Sequence, residues 1–485
     1  MKADTLGVEC ASDGDGDGLE IAVDVLGDWL SKMELTDENF LRAAPAHHVV
    51  ACGGRRLKGK ARTDYSHSRA VKEIGKFISH SWQASAGSKY WTLLIFYNGA
   101  AAVVLGTLVA TAAMIFYKFD FLPGWMRESP DRPEPRYLGP WCLTLGTLTL
   151  LLVLLLRRPQ DQVFFDRLCI NQYDAREKTL GIMSLGACLK HSKKLMILWD
   201  ETLCQRLWCV FELAAFLKTH ENGDLLIQPF DLTHFLCWRF LVNTLVYGGG
   251  LVVPYSKNLN ENVATVLMFV LGTCAQGWLM ATILRRFSQG VETMQKQLAS
   301  FTVAGAQCYC CFVNHRTPDG DIPCDRQVLQ KCIRHWFGSV EEFEKVVQTR
   351  VRDAFNKHLG RHFCPLPWLF AGEVTILWQQ MDRAASRLHE EDTRGALGRL
   401  ILGFSFLFLS NPLGFGAVTL FLRYKPCDGL VLKLLVMALC MSLVFGIHWL
   451  FEACHDYAGE LWGSVIFAGA LLLPSIILWR ASAHG

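Results

Sequence analysis

Long runs without charge constrain this chain more than any other feature. Crossing the hydrocarbon core of a bilayer takes about 20 apolar residues. Seven segments approach that length: 91–117, 139–156, 235–255, 262–284, 400–422, 431–451 and 461–479. The first two carry no charge, and Arg157 and Arg158 close the second, as Arg285 and Arg286 close the fourth. A buried helix of a globular protein rarely stays uncharged for so long, and here that would have to hold several times over. Only 19% of the 485 residues are charged, below the quarter or so of an ordinary soluble domain, so the chain reads as an α-helical multi-pass membrane protein. Its partner is accordingly the lipid bilayer. A net charge of +3, with no basic stripe interleaved with aromatics, argues against a nucleic-acid partner.

Orientation follows from the basic residues. The N-terminus has no signal-peptide stretch and carries Arg55, Arg56, Lys58, Lys60 and Arg62, which places it in the cytosol. Lys72, Lys76 and Lys89 before the first span and the arginine pairs after the second and fourth agree. The last three segments fit less well. If each spans, Arg423 and Lys425 lie outside and the acidic stretch 452–460 lies inside. Asn411-Pro412 interrupts 400–422, and a re-entrant pair of half-helices there would restore the rule with six spans instead of seven. The soluble pieces are then 1–70, acidic and Gly-rich and then basic, read as largely unstructured; 71–90; 157–233; and a cytosolic helical region, 285–399. The 18 cysteines form no disulfide framework, as expected where cytosolic thiols stay reduced.

The piece 157–233 is the most informative. QVFFDRL (162–168) reads as a short buried strand, CINQYDAREK (169–178) as a loop, and KLMILW (194–199) as a second strand. Ile182, Leu185 and Leu189 mark one helix; Leu207, Val210, Phe211 and Ala214 mark another. Alternating strands and helices indicate a parallel α/β sheet. KFISHSW (76–82) supplies a first strand, best placed beside QVFFDRL, so that 91–117 and 139–156 form a helical excursion within one domain.

FISHSW, FFDRLCINQ, KKLMILWD and above all RLWCVFELAAF resemble the boxes of TIR-type domains, in which a helix opens with Trp-Cys-x-x-Glu-Leu. Trp208, Cys209, Glu212 and Leu213 match that motif, and FDRLCINQYDAREK is similar to the core of the fungal HET domain. The resemblance covers roughly a quarter of the chain. It implies a cytosolic flavodoxin-like α/β domain of residues 71–90 and 157–233, self-association through that domain, and cleavage of the nicotinamide–ribose bond of NAD with Glu212 as the essential carboxylate. The loop after the second strand lacks the Arg-Asp and Pro-Gly signals common in that family. NAD would be substrate, with no bound cofactor.

Cleaving that bond develops an oxocarbenium-like cation, which a carboxylate stabilises. Trp208 lies one turn before Glu212, where it could stack on a base. Ser79, His80, Ser81 and Trp82 follow the end of the first strand, and Asp166 the end of the second, where ligands bind in open α/β sheets. The competing reading makes Glu212 a solvated helix residue, paired with Arg206 or Lys218, and the domain a non-catalytic assembly module. A third reading is a channel or transporter with a TIR-like sensor, for which Arg239, Lys433 and His448 are the intramembrane ionisable residues; the first two sit near span ends, where they can snorkel.

Two weaker motifs complete the reading. Residues 13–24 nearly fit an EF-hand loop, with Asp13, Asp15, Asp17, Gly18 and Asp24 in place, but suit an acidic tail better. Cys308, Cys310, Cys311, His315, Cys324 and Cys332 cluster without paired C-x-x-C spacing and read as reduced structural thiols rather than a metal site. Ser339-Val-Glu-Glu342 is a capping box opening an amphipathic helix.

Overall fold

The computed structural model describes all residues except 1–15, 59–64, 130–131, 221–223, 253–260, 318–319, 360–363, 425–428 and 484–485. Asp13, Asp15, Lys60, Arg62 and Lys425 of the sequence reading lie outside the described residues. The chain divides into two compact units, one of residues 1–92, 158–230 and 289–359, the other of residues 93–157, 231–288 and 360–485.

The first unit is built on a six-stranded mixed sheet. Its strands are β1 (Arg42–Pro45), β2 (Arg69–Ala70), β3 (Ile74–His80), β4 (Gln162–Phe164), β5 (Ser192–Trp199) and β6 (Asp224–Pro229), in spatial order β2-β1-β4-β3-β5-β6. β4, β3, β5 and β6 are mutually parallel, and β1 and β2 add an antiparallel edge. The sheet is thus mixed rather than wholly parallel. The extra strands come from residues 42–70, which composition had suggested were unstructured.

Apolar runs dictate the central strands. Leu195–Trp199 of β5 is buried at every position, as expected of a strand covered on both faces. Phe77 of β3 registers with Phe164 of β4 and Leu195 of β5, and the Phe77 and Phe164 rings stack at 4.6 Å. KFISHSW therefore does lie beside QVFFDRL. β4 is shorter than expected, because the chain turns into the Asp166–Cys169 helix immediately after Phe164–Phe165. Gly75 is required where β3 meets β4, since a Cβ there would fall 2.8 Å from the Gln162 carbonyl oxygen.

Helices Ala175–Met183 and Leu185–Lys190 connect β4 to β5, and Leu207–Thr219 connects β5 to β6. An N-terminal helix, Gly16–Lys32, includes Asp17, Gly18 and Asp24, so the EF-hand spacing falls on helix rather than on a loop. It packs on the Asp325–Phe337 helix, where the Trp336 indole donates to the Ser31 carbonyl at 2.6 Å and Cys332 to that of Gly27 at 3.3 Å. Ser339 caps the next helix, its hydroxyl accepting from the Glu342 amide as the capping box predicts.

The second unit is mainly helical, with one antiparallel pair of strands, Trp125–Ser129 and Arg132–Leu138. Among the described residues, four helices are long and apolar enough to cross a membrane: Ala86–Lys118 (its first turns lie in the other unit), Val266–Ala299 (as do its last), Thr393–Leu422 and Leu430–Ala481. Trp141–Leu156 is apolar but shorter. Segment 235–255 is helical through Val252, as part of Phe230–Val252. Segments 431–451 and 461–479 both lie within Leu430–Ala483, which breaks at Gly459 with φ 73°. The Phe451 and Phe467 rings lie 5.8 Å apart. In a straight helix, 16 residues span about 24 Å, so the two arms fold back on each other. Glu460 at this bend is held by Arg387 and Arg399, both at 2.7 Å. At Asn411-Pro412 the helix continues, after a π-helical stretch at Phe406–Ser410 that accommodates the amide lost at proline. The described backbone thus contains a continuous helix with a π-helical stretch rather than two half-helices.

One helix departs from the sequence reading. Leu366–His389 falls in the region expected to be cytosolic, yet it packs among the apolar helices of the second unit. The Asp382 carboxylate accepts from the Cys142 and Leu143 amides at 2.6 and 3.0 Å, capping Trp141–Leu156. Trp378 fills the space left by Gly106 and Gly146 and donates to Thr107 at 3.2 Å. Arg239, expected to snorkel from a span end, is instead buried in an ion pair with Glu373. Asn243 donates to Glu373 at 2.8 Å, Gln276 donates to Asn243, and Arg239 also reaches Asn411 at 3.3 Å.

Candidate functional site

The carboxyl ends of β3, β4 and β5 converge within the first unit. β3 is central; the chain passes from it to β4 on one side, and β5 lies on its other side. Such a switch in strand order opens a crevice at the carboxyl edge of a sheet. Ser79, His80 and Ser81 at the end of β3 are all buried, whereas Trp82 stands 56% exposed at the rim.

Glu212 reaches this edge from the Leu207–Thr219 helix. The Ser79 hydroxyl donates to Glu212 Oε2 at 2.7 Å. The residue retains some exposed surface, but its carboxyl is packed deeply enough that lost hydration drives its pKa up to about 8. The Ser79 hydrogen bond opposes that rise, and the negative charge of Asp166 adds to it. Neither Arg206 nor Lys218 pairs with it: Lys218 donates to the Trp336 carbonyl, and Ser79 alone gives Glu212 a side-chain hydrogen bond among the described residues.

The surrounding groups are held in fixed positions. His80 stacks on Phe165 at 5.0 Å, and burial lowers its pKa to about 4, so the ring is neutral. Its carbonyl accepts from the Cys209 thiol at 3.5 Å. Burial, and then the nearby Glu212 carboxyl, push that thiol well above its ordinary pKa, so it is no nucleophile at neutral pH. Asp166 accepts from the Arg167 amide at 2.8 Å, and the Arg167 guanidinium lies over the Trp82 ring at 5.3 Å.

Two groups at the end of β5 escaped the sequence reading. Thr202 donates to Ser81 at 2.7 Å, or to Asp200 at 2.8 Å. Burial raises the Asp200 pKa against those hydrogen bonds. Lys89, also buried, lies within electrostatic reach of Asp166 and Asp200. The signal for Asp200 was present, since it follows KLMILW directly, at the strand end where ligands bind.

Trp208 behaves differently from the sequence expectation. Its side chain hydrogen-bonds Asp325, and its ring meets that of Phe211 edge-on at 6.0 Å. The structure thus brings Ser79, His80, Ser81 and Glu212 together, with Asp166 in electrostatic range and Trp82 at the rim, while Trp208 is engaged by Asp325. Burial, reinforced by the charge of Asp166, thus favours the protonated form of the Glu212 carboxyl at the sheet edge. No family model, curated protein or solved structure matches this chain.

Proposed function

We propose that this is a membrane-anchored, TIR-like signalling protein whose α/β unit, on the cytosolic side, cleaves the nicotinamide–ribosyl bond of NAD on assembly. The observation that carries the reading is the Ser79–Glu212 hydrogen bond at the carboxyl edge of the sheet. The order β4-β3-β5-β6 supports it: numbered along the parallel strands alone it runs 2-1-3-4, as in flavodoxin-like sheets. The apolar helices support the membrane anchor.

NAD carries a positive charge on its nicotinamide ring. Placed beside Glu212, that charge would favour the carboxylate, releasing the proton that burial retains. The carboxylate then faces the ribosyl cation that forms as the C–N bond breaks and its electrons leave with neutral nicotinamide. Water adds to the cation and loses a proton, giving ADP-ribose. Ser79 orients the carboxylate, and neutral His80 adds no opposing charge. Purified full-length protein in detergent is expected to release nicotinamide from NAD, and Glu212→Ala to abolish it. A wild-type chain that self-associates without turnover would leave the non-catalytic assembly reading in its place.

The buried Arg239–Glu373 pair, with Asn243, Gln276 and Asn411, favours a second reading as a transporter or channel. Asn411→Leu should then impair flux in reconstituted vesicles; unchanged flux would count against it.

A further inference from the structure

The polypeptide around residues 308–325 folds four potential metal ligands into one small volume, although their order in sequence shows no paired motif. The ligating atoms of Cys310, Cys311, His315 and Cys324 all lie within 4.8 Å of one another. Cys311 Sγ is 3.9 Å from Cys310 Sγ, 3.9 Å from Cys324 Sγ and 3.7 Å from His315 Nε2. A tetrahedral zinc ion with Zn–S about 2.3 Å and Zn–N about 2.0 Å requires S–S edges of about 3.8 Å and S–N edges of about 3.5 Å. Three edges therefore meet the requirement to within a few tenths of an ångström, and the widest pair needs to close by about 1 Å.

The backbone is arranged for the same end. Asn314 and His315 both take left-handed conformations, φ 53° and 61°, which is unusual for non-glycine residues. That turn carries His315 back over the short helix Tyr309–Phe312, where its amide donates to the Cys310 carbonyl at 2.7 Å. A two-stranded hairpin, Arg316–Thr317 with Gly320–Asp321, then returns the chain to Cys324. The Asp325 amide donates to Cys310 Sγ at 3.3 Å, the kind of outer hydrogen bond that orients and stabilises a ligating thiolate. Three thiolates and one imidazole in a closed tetrahedron are a donor set for zinc.

We infer that Cys310, Cys311, His315 and Cys324 form a structural zinc site. Cys308 is not one of the four: its Sγ lies against Cys310 Sγ at 3.0 Å and reaches Asp325 at 3.8 Å, but it does not lie within the volume shared by Cys311, His315 and Cys324. The site braces the α/β unit at a defined place. Gln307 pairs with the backbone of Gln205 and Leu207, just where the helix bearing Glu212 begins, and Asp325 holds Trp208 on that helix. The inference stands independently of any reaction at Glu212.

The test is metal content of full-length protein purified in detergent without chelators. About one zinc per chain is expected, with Cys311→Ser reducing it at least tenfold and Cys332→Ser, whose thiol donates to the Gly27 carbonyl away from the four ligands, leaving it unchanged. Because Cys311→Ser could lose metal by misfolding, Co²⁺ is also titrated into metal-stripped wild-type protein. It should give the intense ligand-field bands of a tetrahedral ion, with thiolate-to-cobalt charge transfer, saturating at one equivalent. Wild-type protein without stoichiometric metal, an octahedral cobalt spectrum, or full zinc retention in Cys311→Ser would each overturn the assignment.

Discussion

Replacing Glu212 by Gln should give the protein a stability advantage over the wild type that grows as pH rises. The carboxyl has a folded-state pKa of about 8 against an ordinary 4.5, so the native chain keeps a proton that the unfolded chain releases. Between those values, stability falls with increasing pH, by at most about 1.4 kcal/mol per unit. Residual solvent contact screens the group, and halving the slope is a fair allowance. Wild-type protein should then lose about 1.4 kcal/mol relative to Glu212→Gln between about pH 5.5 and 7.5. For a unit of this size that is a widening gap of about 3–6 °C in melting temperature. Glutamine keeps the shape of the side chain and an oxygen to accept from Ser79, so the variant isolates the charge. Thermal unfolding of full-length protein, followed by tryptophan fluorescence across this range, reads the gap directly. A difference that stays constant with pH, or one that narrows as pH rises, would refute the reasoning.

Three further outcomes follow from the same structure. Ser79→Ala removes the hydrogen bond that lowers the Glu212 pKa, so the rise of kcat/KM with pH should move to higher pH; an unmoved limb would show that the two groups are uncoupled. Gly75→Val places a side chain against the Gln162 carbonyl between β3 and β4, and should cost about 2 kcal/mol or more, measured as a lowered melting temperature. Arg239→Met strands the Glu373 carboxyl in the helical unit and should destabilise by about 3–5 kcal/mol, while adding Glu373→Gln recovers most of that loss; a double variant no better than the single one would argue against the pairing.

How far the sequence foretold this arrangement depended on how strongly each element was patterned. The strands KFISHSW and KLMILW are continuous apolar runs bounded by polar residues, so their existence was legible, and β3 and β5 are where those runs predict. The Leu207–Thr219 helix was likewise marked by its apolar stripe, and Glu212 stood off that stripe. The edge strands β1 and β2 span only four and two residues, too short for alternation to register. Helix Gly16–Lys32 was obscured by its acidic, Gly-rich start, although Val23, Leu26 and Leu30 recur at helical spacing. Leu366–His389 carries Glu373, Gln379, Gln380 and Asp382 on buried positions, so its polarity read as solvent exposure, whereas Glu373 pairs with Arg239 and Asn243 and Asp382 caps the Trp141–Leu156 helix. Cys310, Cys311, His315 and Cys324 meet only because a left-handed turn and a hairpin fold between them, which linear spacing does not reveal.

The central proposal joins a carboxyl at the sheet edge to a signal carried by assembly at a membrane. The most direct measurement is nicotinamide release from NAD by full-length protein reconstituted into lipid vesicles at increasing density, alongside Glu212→Gln. The account predicts that release per molecule rises with density in the wild type and is absent at every density in the variant. No release at any density, or equal release by Glu212→Gln, would contradict it.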